Sequence, residues 1–232
     1  MTARPLTDYP QPALAVDLAI LTVDEGVVKV LLVRRPDAAE VGGEWALPGG
    51  FVHIDQTLEA TVARVLRDKA SVEKAHFEQL ATFGALDRDP RGRVVSVTYL
   101  ALVPAKALAA LAPAPERLLA RVEMPSAGGP LTVSGPDGAL SLAFDHAIIL
   151  GEVIKRLRGK LDYTAIGYAL LPERFTLREV QEVHEAILGC HLAKPAFRRK
   201  ILDRGLIRPT GLHETGGAFR PAELYERIAE QE

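Results

Sequence analysis

The stretch GFVHIDQTLEATVARVLRDKASV, from Gly50 to Val72, follows directly on the turn Trp45-Ala-Leu-Pro-Gly-Gly50 and opens a helix. Leu58, Val62, Val65 and Leu66 recur at the spacing of one helical face, which predicts a helix over about residues 57–69 with Val65 in the core. Positions 65 and 69 are four apart, so they project from the same side. That side carries an apolar valine and the cation Lys69, a pairing that repels metal ions and attracts phosphate. The competing interpretation is a plain amphipathic helix after a glycine turn. The flanking WALPGG and the arginine at position 64 favour the more specific one.

The outline resembles the Nudix box: G, five residues, E, seven residues, then R-E-U-x-E-E-x-G-U, with U aliphatic. Gly50, Arg64, Leu66 and Val72 match it. Gln56, Val65 and Lys69 stand where the pattern has glutamates, Asp68 is a shorter carboxylate, and Ser71 takes the glycine position. In Nudix hydrolases these glutamates hold divalent ions against a diphosphate. Mg²⁺ needs hard oxygen ligands, mostly carboxylates and substrate phosphates. The resemblance therefore implies a diphosphate-shaped pocket that has lost its metal cluster and most of its means of hydrolysis. The expectation is a chain that is not an enzyme, with no catalytic residues, no metal and no cofactor.

Composition is that of an ordinary globular chain, 48% hydrophobic and 25% charged over 232 residues, long enough for one large domain or two modest ones. The net charge of −2 announces no nucleic-acid partner. From Lys155 onward, however, 14 basic residues face 11 acidic ones, against 14 and 19 before it. This agrees with an acidic front module joined to a slightly basic tail. The lone Cys190 excludes an internal disulfide framework. No basic-then-apolar leader opens the chain and no apolar run is long enough to span a bilayer, so the expected location is cytoplasmic.

In the front module, residues 13–23 and 27–35 are β-rich runs joined by Asp24-Glu-Gly26, a hairpin signal. Residues 80–86 and 94–103 are expected strands flanking Asp87-Arg-Asp-Pro-Arg-Gly-Arg93, an arginine-rich turn whose forked donors can reach a phosphate. A helix is expected over 104–111, a loop or hairpin over 125–138, and a helix from His146 to about Leu157. Trp45, Phe51 and Phe83 offer faces for a base or ribose, or simply pack in the core. His53, His76 and His146 lack zinc-ligand spacing, and no Walker loop or GxGxxG occurs.

From about Gly159 short helices follow. Residues 163–171 are expected to be helical. Thr176-Leu-Arg-Glu179 is a capping box that starts a helix carrying Leu177, Val180, Val183 and Ile187 on one side and ending at Gly189. After a turn, Pro195 suits the first turn of a second helix to about Asp203, with Phe197, Ile201 and Leu202 inward and Lys194, Arg198, Arg199 and Lys200 mostly outward. Expected strands over 206–210 and 219–225, with a turn over 211–217, add a wing. That is a winged helix-turn-helix; a small helical domain with solvated arginines is the plainer alternative.

PALA from Pro12, WALPGGF from Trp45, FGALDRDPRGR from Phe83, FDH from Phe144, LRGKLDY from Leu157, FTLREVQEVHEAILG from Phe175 and FRRKILDRGLI from Phe197 together resemble the Nudix-related transcriptional regulators called NrtR. The resemblance implies an α+β chain: a Nudix-like α/β/α sandwich with a mixed sheet over residues 1–155, then a winged-helix domain over 156–232. It implies a homodimeric repressor of NAD-metabolism genes that binds double-stranded DNA and senses ADP-ribose or a related nucleotide diphosphate. Carried over by position, the ligand pocket involves Arg35, Trp45, Phe51, Arg64, Lys69, Asp87, Arg91 and Arg93. The DNA-binding set is Lys194, Phe197, Arg198, Arg199, Lys200, Thr210 and Arg220, with the wing over Thr210 to Arg220. Two other readings stay open: an active Nudix pyrophosphatase drawing carboxylates from Asp55, Glu59 or Glu73, and a Nudix-like regulator that senses a sugar or other metabolite.

Overall fold

In the computed structural model, residues 5, 8–37, 39, 44–72, 75–110, 114–125, 129–214 and 221–228 are described. Strand β1 (Ala13–Asp24) is the spine of the front module. Its alternate residues are buried on opposite faces: Val16, Leu18 and Ile20 on one side, Ala19, Leu21 and Val23 on the other. A strand buried on both faces needs cover on both, which dictates a three-layer sandwich.

β1 pairs antiparallel with β2 (Val27–Arg34) across the expected tight turn, where Glu25 and Gly26 have φ of +51° and +72°. Two further strands, β3 (Trp45–Ala46) and β4 (Gly49–Phe51), flank the Leu47-Pro48 corner and pair with β2 and β1. Helix α1 (Leu58–Ala70) covers one face through Val62, Val65 and Leu66. β5 (His76–Phe83) and β6 (Val94–Leu102) follow, and β6 lies parallel to β1, so the sheet is mixed. The expected strand at 80–86 thus begins earlier and stops at Phe83. The helix expected at 104–111 is α2 (Ala105–Ala109). β7 (Arg117–Glu123), β8 (Thr132–Gly135) and β9 (Gly138–Ala139) complete the order β5-β6-β1-β2-β7-β8-β9.

Helix α3 (His146–Lys160) covers the second face with Ile149, Leu150, Val153, Ile154 and Leu157. It runs without a break past position 155, so the expected domain boundary at 155/156 falls inside a helix. The helix expected at 163–171 is a single 3₁₀ stretch over Ile166–Leu170.

In the tail, β10 (Arg174–Phe175) leads into α4 (Leu177–Leu188). There the capping box is complete: Glu179 Oε2 accepts from the Thr176 amide at 2.7 Å and Thr176 Oγ1 accepts from the Glu179 amide at 3.2 Å. Gly189, with φ of +70°, stops the helix. α5 (Lys194–Asp203) follows, with Pro195 in its first turn. β11 (Ile207–His213) and β12 (Glu223–Arg227) form a second sheet in the order β10-β12-β11. The wing strands are therefore offset from the expected 206–210 and 219–225, because Gly211, with φ of +74° at a register shift, carries β11 onward to His213. One continuous core joins the second face of the large sheet, α3, α4 and α5, and α4 packs against β2. No helix among the described residues is long and apolar enough to cross a membrane.

Candidate ligand pocket and nucleic-acid interface

A cavity of about 510 Å³ opens at the C-terminal end of α1, between β4, the ends of β1 and β2, and the loop 84–93. Of the expected ligand residues, Arg35, Phe51, Lys69 and Arg91 line it. Trp45, Arg64, Asp87 and Arg93 do not, and each has a physical reason. Trp45 packs against the core behind the cavity. Arg64 staples the loop to the helix, donating to Phe51 O at 2.8 Å and to Gln56 Oε1 at 3.1 Å. Gln56 thus keeps the acceptor that this staple needs while carrying no charge. Arg93 donates to the Gly84 and Ala85 carbonyls at 2.8 and 3.0 Å and closes the neck of its own loop. Asp87 points to solvent. Phe83, the third candidate for stacking, packs against the core.

The metal-ligand positions of the box face different surroundings. Val65 is buried at 1% exposure in the core under α1. Asp68 is exposed and pairs with Arg67 at 3.1 Å, and Lys69 reaches the cavity wall. The residues present do not fit a divalent ion: an apolar side chain, an amide and an ammonium occupy three of the four carboxylate positions. No group of three or more His, Cys, Asp or Glu converges elsewhere among the described residues.

The cavity floor is a buried polar cluster outside the expected site. Arg88 donates bidentately to Asp145, Nε to Oδ2 at 3.0 Å and Nη2 to Oδ1 at 2.8 Å, and reaches Asp17 Oδ2 at 3.1 Å. Ser96 Oγ donates to the same Asp17 oxygen at 2.7 Å. The Leu47 amide donates to His146 Nδ1 at 2.9 Å, which leaves the imidazole proton on Nε2, 3.7 Å from Asp17 Oδ2. Burial pushes the Asp17 carboxyl up, but His146, Ser96 and Arg88 outweigh it and hold the group down at about 2. Gly49 presses on this floor, since a Cβ there would lie 2.4 Å from Asp17 Oδ1 and 2.8 Å from Val16 O.

On the wall, Arg91 donates through Nε and Nη2 to Asp89 at 2.9 and 2.8 Å, and Arg35 donates through Nε and Nη2 to Asp37 at 2.7 and 2.5 Å. Both guanidiniums lie over the Phe144 ring, Arg35 5.3 Å and Arg91 5.4 Å from its centre. Phe144 has φ of +57°, a left-handed backbone that turns its ring beneath the two cations just before α3 begins. Sequence reasoning missed Arg88, Asp89, Phe144 and His146 as site residues. The FDH and DRDPRGR motifs that contain them were the available signal.

In the tail, Lys194, Arg198 and Arg199 are exposed on α5, and Arg199 approaches Asp203 at 3.6 Å. Lys194 and Arg198 also line a cleft with Arg178 and His213, between the start of α4 and the wing. Phe197 corrects the expected DNA-facing set: it is 6% exposed and sits edge-on to His184 at 5.1 Å, within the core. Leu202, expected inward, is 44% exposed. Lys200 pairs with Asp162 at 2.8 Å, and Thr210 is half-buried, donating to Leu224 O at 2.8 Å. Arg220 lies outside the described residues.

Residues 12–124 match the model of the NUDIX domain, and residues 167–226 match that of the NrtR DNA-binding winged helix domain. The chain is 39% identical over 221 residues to the ADPR responsive transcriptional repressor NtrR of Acinetobacter baylyi, covering 94% of this chain and 83% of that one. It is 36% identical over 92 residues, 40% of this chain and 52% of the relative, to an ADP-ribose pyrophosphatase of Methanocaldococcus jannaschii. Among solved structures, NrtR of Shewanella oneidensis in complex with a 27mer DNA is similar at 33% identity and a TM-score of 0.74, with 93% of each chain covered.

Proposed function

The chain belongs to the NrtR family of Nudix-related transcriptional regulators, and from that membership we propose a repressor that ADP-ribose or a related nucleotide diphosphate releases from its operator. The front module is the sensor and the tail module grips DNA. Arg35, Lys69 and Arg91 meet the anionic oxygens of the ligand, and the exposed Phe51 covers its base or ribose. Lys194, Arg198 and Arg199 meet the operator, where a guanidinium can fork onto guanine or a phosphate. The regulated genes are those of NAD metabolism, and the protein acts in the cytoplasm, where the chromosome is. The joint between the modules lies after Lys160, at the end of α3.

The observation that carries this reading is the course of α3. Its first residues, with Asp145 just before them, belong to the pocket floor. In its last turn Arg158 donates from Nε to the Ile187 carbonyl at 2.7 Å, from Nη1 to the Pro125 carbonyl at 3.0 Å, and from Nη2 to Met124 O. Ile187 O belongs to the end of α4, the first helix of the helix-turn-helix. Ligand binding that alters how Asp145 and Arg88 sit therefore bears on the DNA-binding helices through one rigid element. A coupling of about 1–3 kcal/mol loosens DNA 5–150-fold.

Hydrolysis is not part of this function. A sensor reports concentration best when it leaves its ligand intact, and the donor set at Gln56, Val65, Asp68 and Lys69 suits that role. We infer a homodimer as the acting form, in which two α5 helices face successive major grooves.

The experiment is a gel shift with DNA from upstream of the gene's own neighbourhood, with and without ADP-ribose, alongside a turnover assay in Mn²⁺. Binding of DNA that ADP-ribose reverses, with ADP-ribose left uncleaved, is the expected result. Cleavage at an ordinary enzyme rate of about ten per second, with no promoter fragment bound, would instead restore the pyrophosphatase reading.

A further inference from the structure

We propose that Asp37 is a built-in anion that holds the two guanidiniums lining the ligand pocket, Arg35 and Arg91, and that an anionic ligand binds by taking them from it; the identity of that ligand rests on the sensor reading above. The two cations of the Phe144 face are held differently. Asp89 is 6% exposed and accepts from the Arg91 backbone amide at 3.0 Å as well as from its Nε and Nη2. It is part of the loop's own architecture and fixes where the Arg91 guanidinium points. Asp37 follows β2, next to the lining residues Arg35 and Pro36 but not itself in the lining, and meets Arg91 through Nη1, a nitrogen other than the Nε and Nη2 that Asp89 takes.

A single oxygen, Asp37 Oδ2, accepts from Arg35 Nη2 at 2.5 Å and from Arg91 Nη1 at 3.2 Å. One anionic oxygen bridging two guanidiniums above an aromatic ring is how a non-bridging phosphate oxygen would sit there. Arg35, beside it, also holds the Asp37 carboxyl below the usual carboxylate range, so the group stays an anion down to acid pH. The consequence is selectivity. A ligand with one weakly charged oxygen gains nothing over the carboxylate already present. A diphosphate brings several anionic oxygens, can take both guanidiniums from Asp37, and can reach Lys69, which forms no ion pair among the described residues.

The test is calorimetry on the full chain, wild type and Asp37→Asn, with ADP-ribose and with inorganic pyrophosphate as separate probes. The substituted amide keeps the shape and one acceptor but not the charge, and a charge-assisted hydrogen bond differs from a neutral one by roughly tenfold in affinity. Asp37→Asn is expected to bind both probes about tenfold more tightly, with operator affinity unchanged when no ligand is present. Asp89→Asn is the counter-variant and should bind both more weakly, since it loosens Arg91. Unchanged or weaker pyrophosphate binding by a folded Asp37→Asn protein overturns the proposal, as does failure of both proteins to bind either probe. Tighter pyrophosphate binding with no ADP-ribose binding in either protein upholds the proposal and rejects ADP-ribose as the effector.

Discussion

Ser71 closes α1 with φ of +51°, in the left-handed region where a Cβ crowds the following carbonyl. The Nudix pattern has glycine at this position, and the backbone gives the reason: the Ser71 and Val72 amides turn back onto Arg67 O and Leu66 O at 3.1 and 3.2 Å. Ser71→Gly should stabilise the chain by about 1 kcal/mol, seen as a rise in Tm of about 2–4 °C by calorimetry. An unchanged Tm would mean that the serine hydroxyl offsets the strain. At this scale the sequence disclosed what local rules govern. The spacing of Leu58, Val62, Val65 and Leu66 put Val65 in the core, where it is. It hid Arg88 and Asp89, because charged residues in a Pro-Gly turn look solvated. Arg88 is buried against Asp17 and Asp145, 71 and 57 positions away in sequence and brought beside it only by the fold.

Elements with strong local signals were legible: β1 by an apolar run interrupted only by Asp17 and Thr22, the β1–β2 turn by its glycine, α4 by its capping box. β7 was not, because only Ala120 and Val122 are fully buried there, and Arg117, Arg121 and Glu123 break the pattern. The reach of α3 past Leu157 was missed for a similar reason, since Arg158, Gly159 and Lys160 read as a helix stop. Two predictions belong here. Arg158→Met keeps the bulk of the side chain but removes its donors to the end of α4. Operator and ADP-ribose should each still bind, while anisotropy titrations show release of DNA by ADP-ribose falling from the 5–150-fold range to about a few-fold. Full release in that variant would move the coupling to another route.

The second concerns His184 in α4, packed between Gly167 and Phe197. Its Nδ1 donates to Val180 O at 2.8 Å and its Nε2 is buried without a partner among the described residues. Burial pulls its pKa below the ordinary 6.5, despite the bond to Val180 and the nearness of Asp162, and Arg204 and Lys200 push the same way as burial. The unfolded chain then binds the proton more readily than the folded one. Stability is full above pH 6.5 and is lost as pH falls from there toward the folded pKa. Melting curves between about pH 7.5 and 5.5 should show this loss, and His184→Leu should flatten it. An equal slope in the variant would assign the effect to another group.

At the scale of the molecule, the net charge of −2 conceals the exposed cations Lys194, Arg198 and Arg199 of α5, the face proposed to meet DNA. The proposed dimer, presenting Lys194, Arg198 and Arg199 from each subunit, would neutralise roughly six phosphates, so the logarithm of operator affinity should fall against the logarithm of salt with a slope of roughly −5. Arg198→Ala combined with Arg199→Ala should flatten that slope by roughly 3–4 while leaving ADP-ribose binding as it was. A salt response that is flat in the wild type would exclude this face as the DNA contact. With half-sites one helical turn apart, the two α5 helices must stand about 34–36 Å from each other.

That spacing gives the length of α3 its meaning. Fifteen residues at about 1.5 Å each make a beam of about 22 Å, wedged at one end among buried charges and latched at the other to the promoter-binding half. A swing of about 5° at the wedged end displaces the latched end by about 2 Å, the scale on which helices shift at switching interfaces. In the proposed mechanism the beam is a lever, its arm long enough that a nucleotide need only nudge the fulcrum for the two reading heads to fall out of step with the groove.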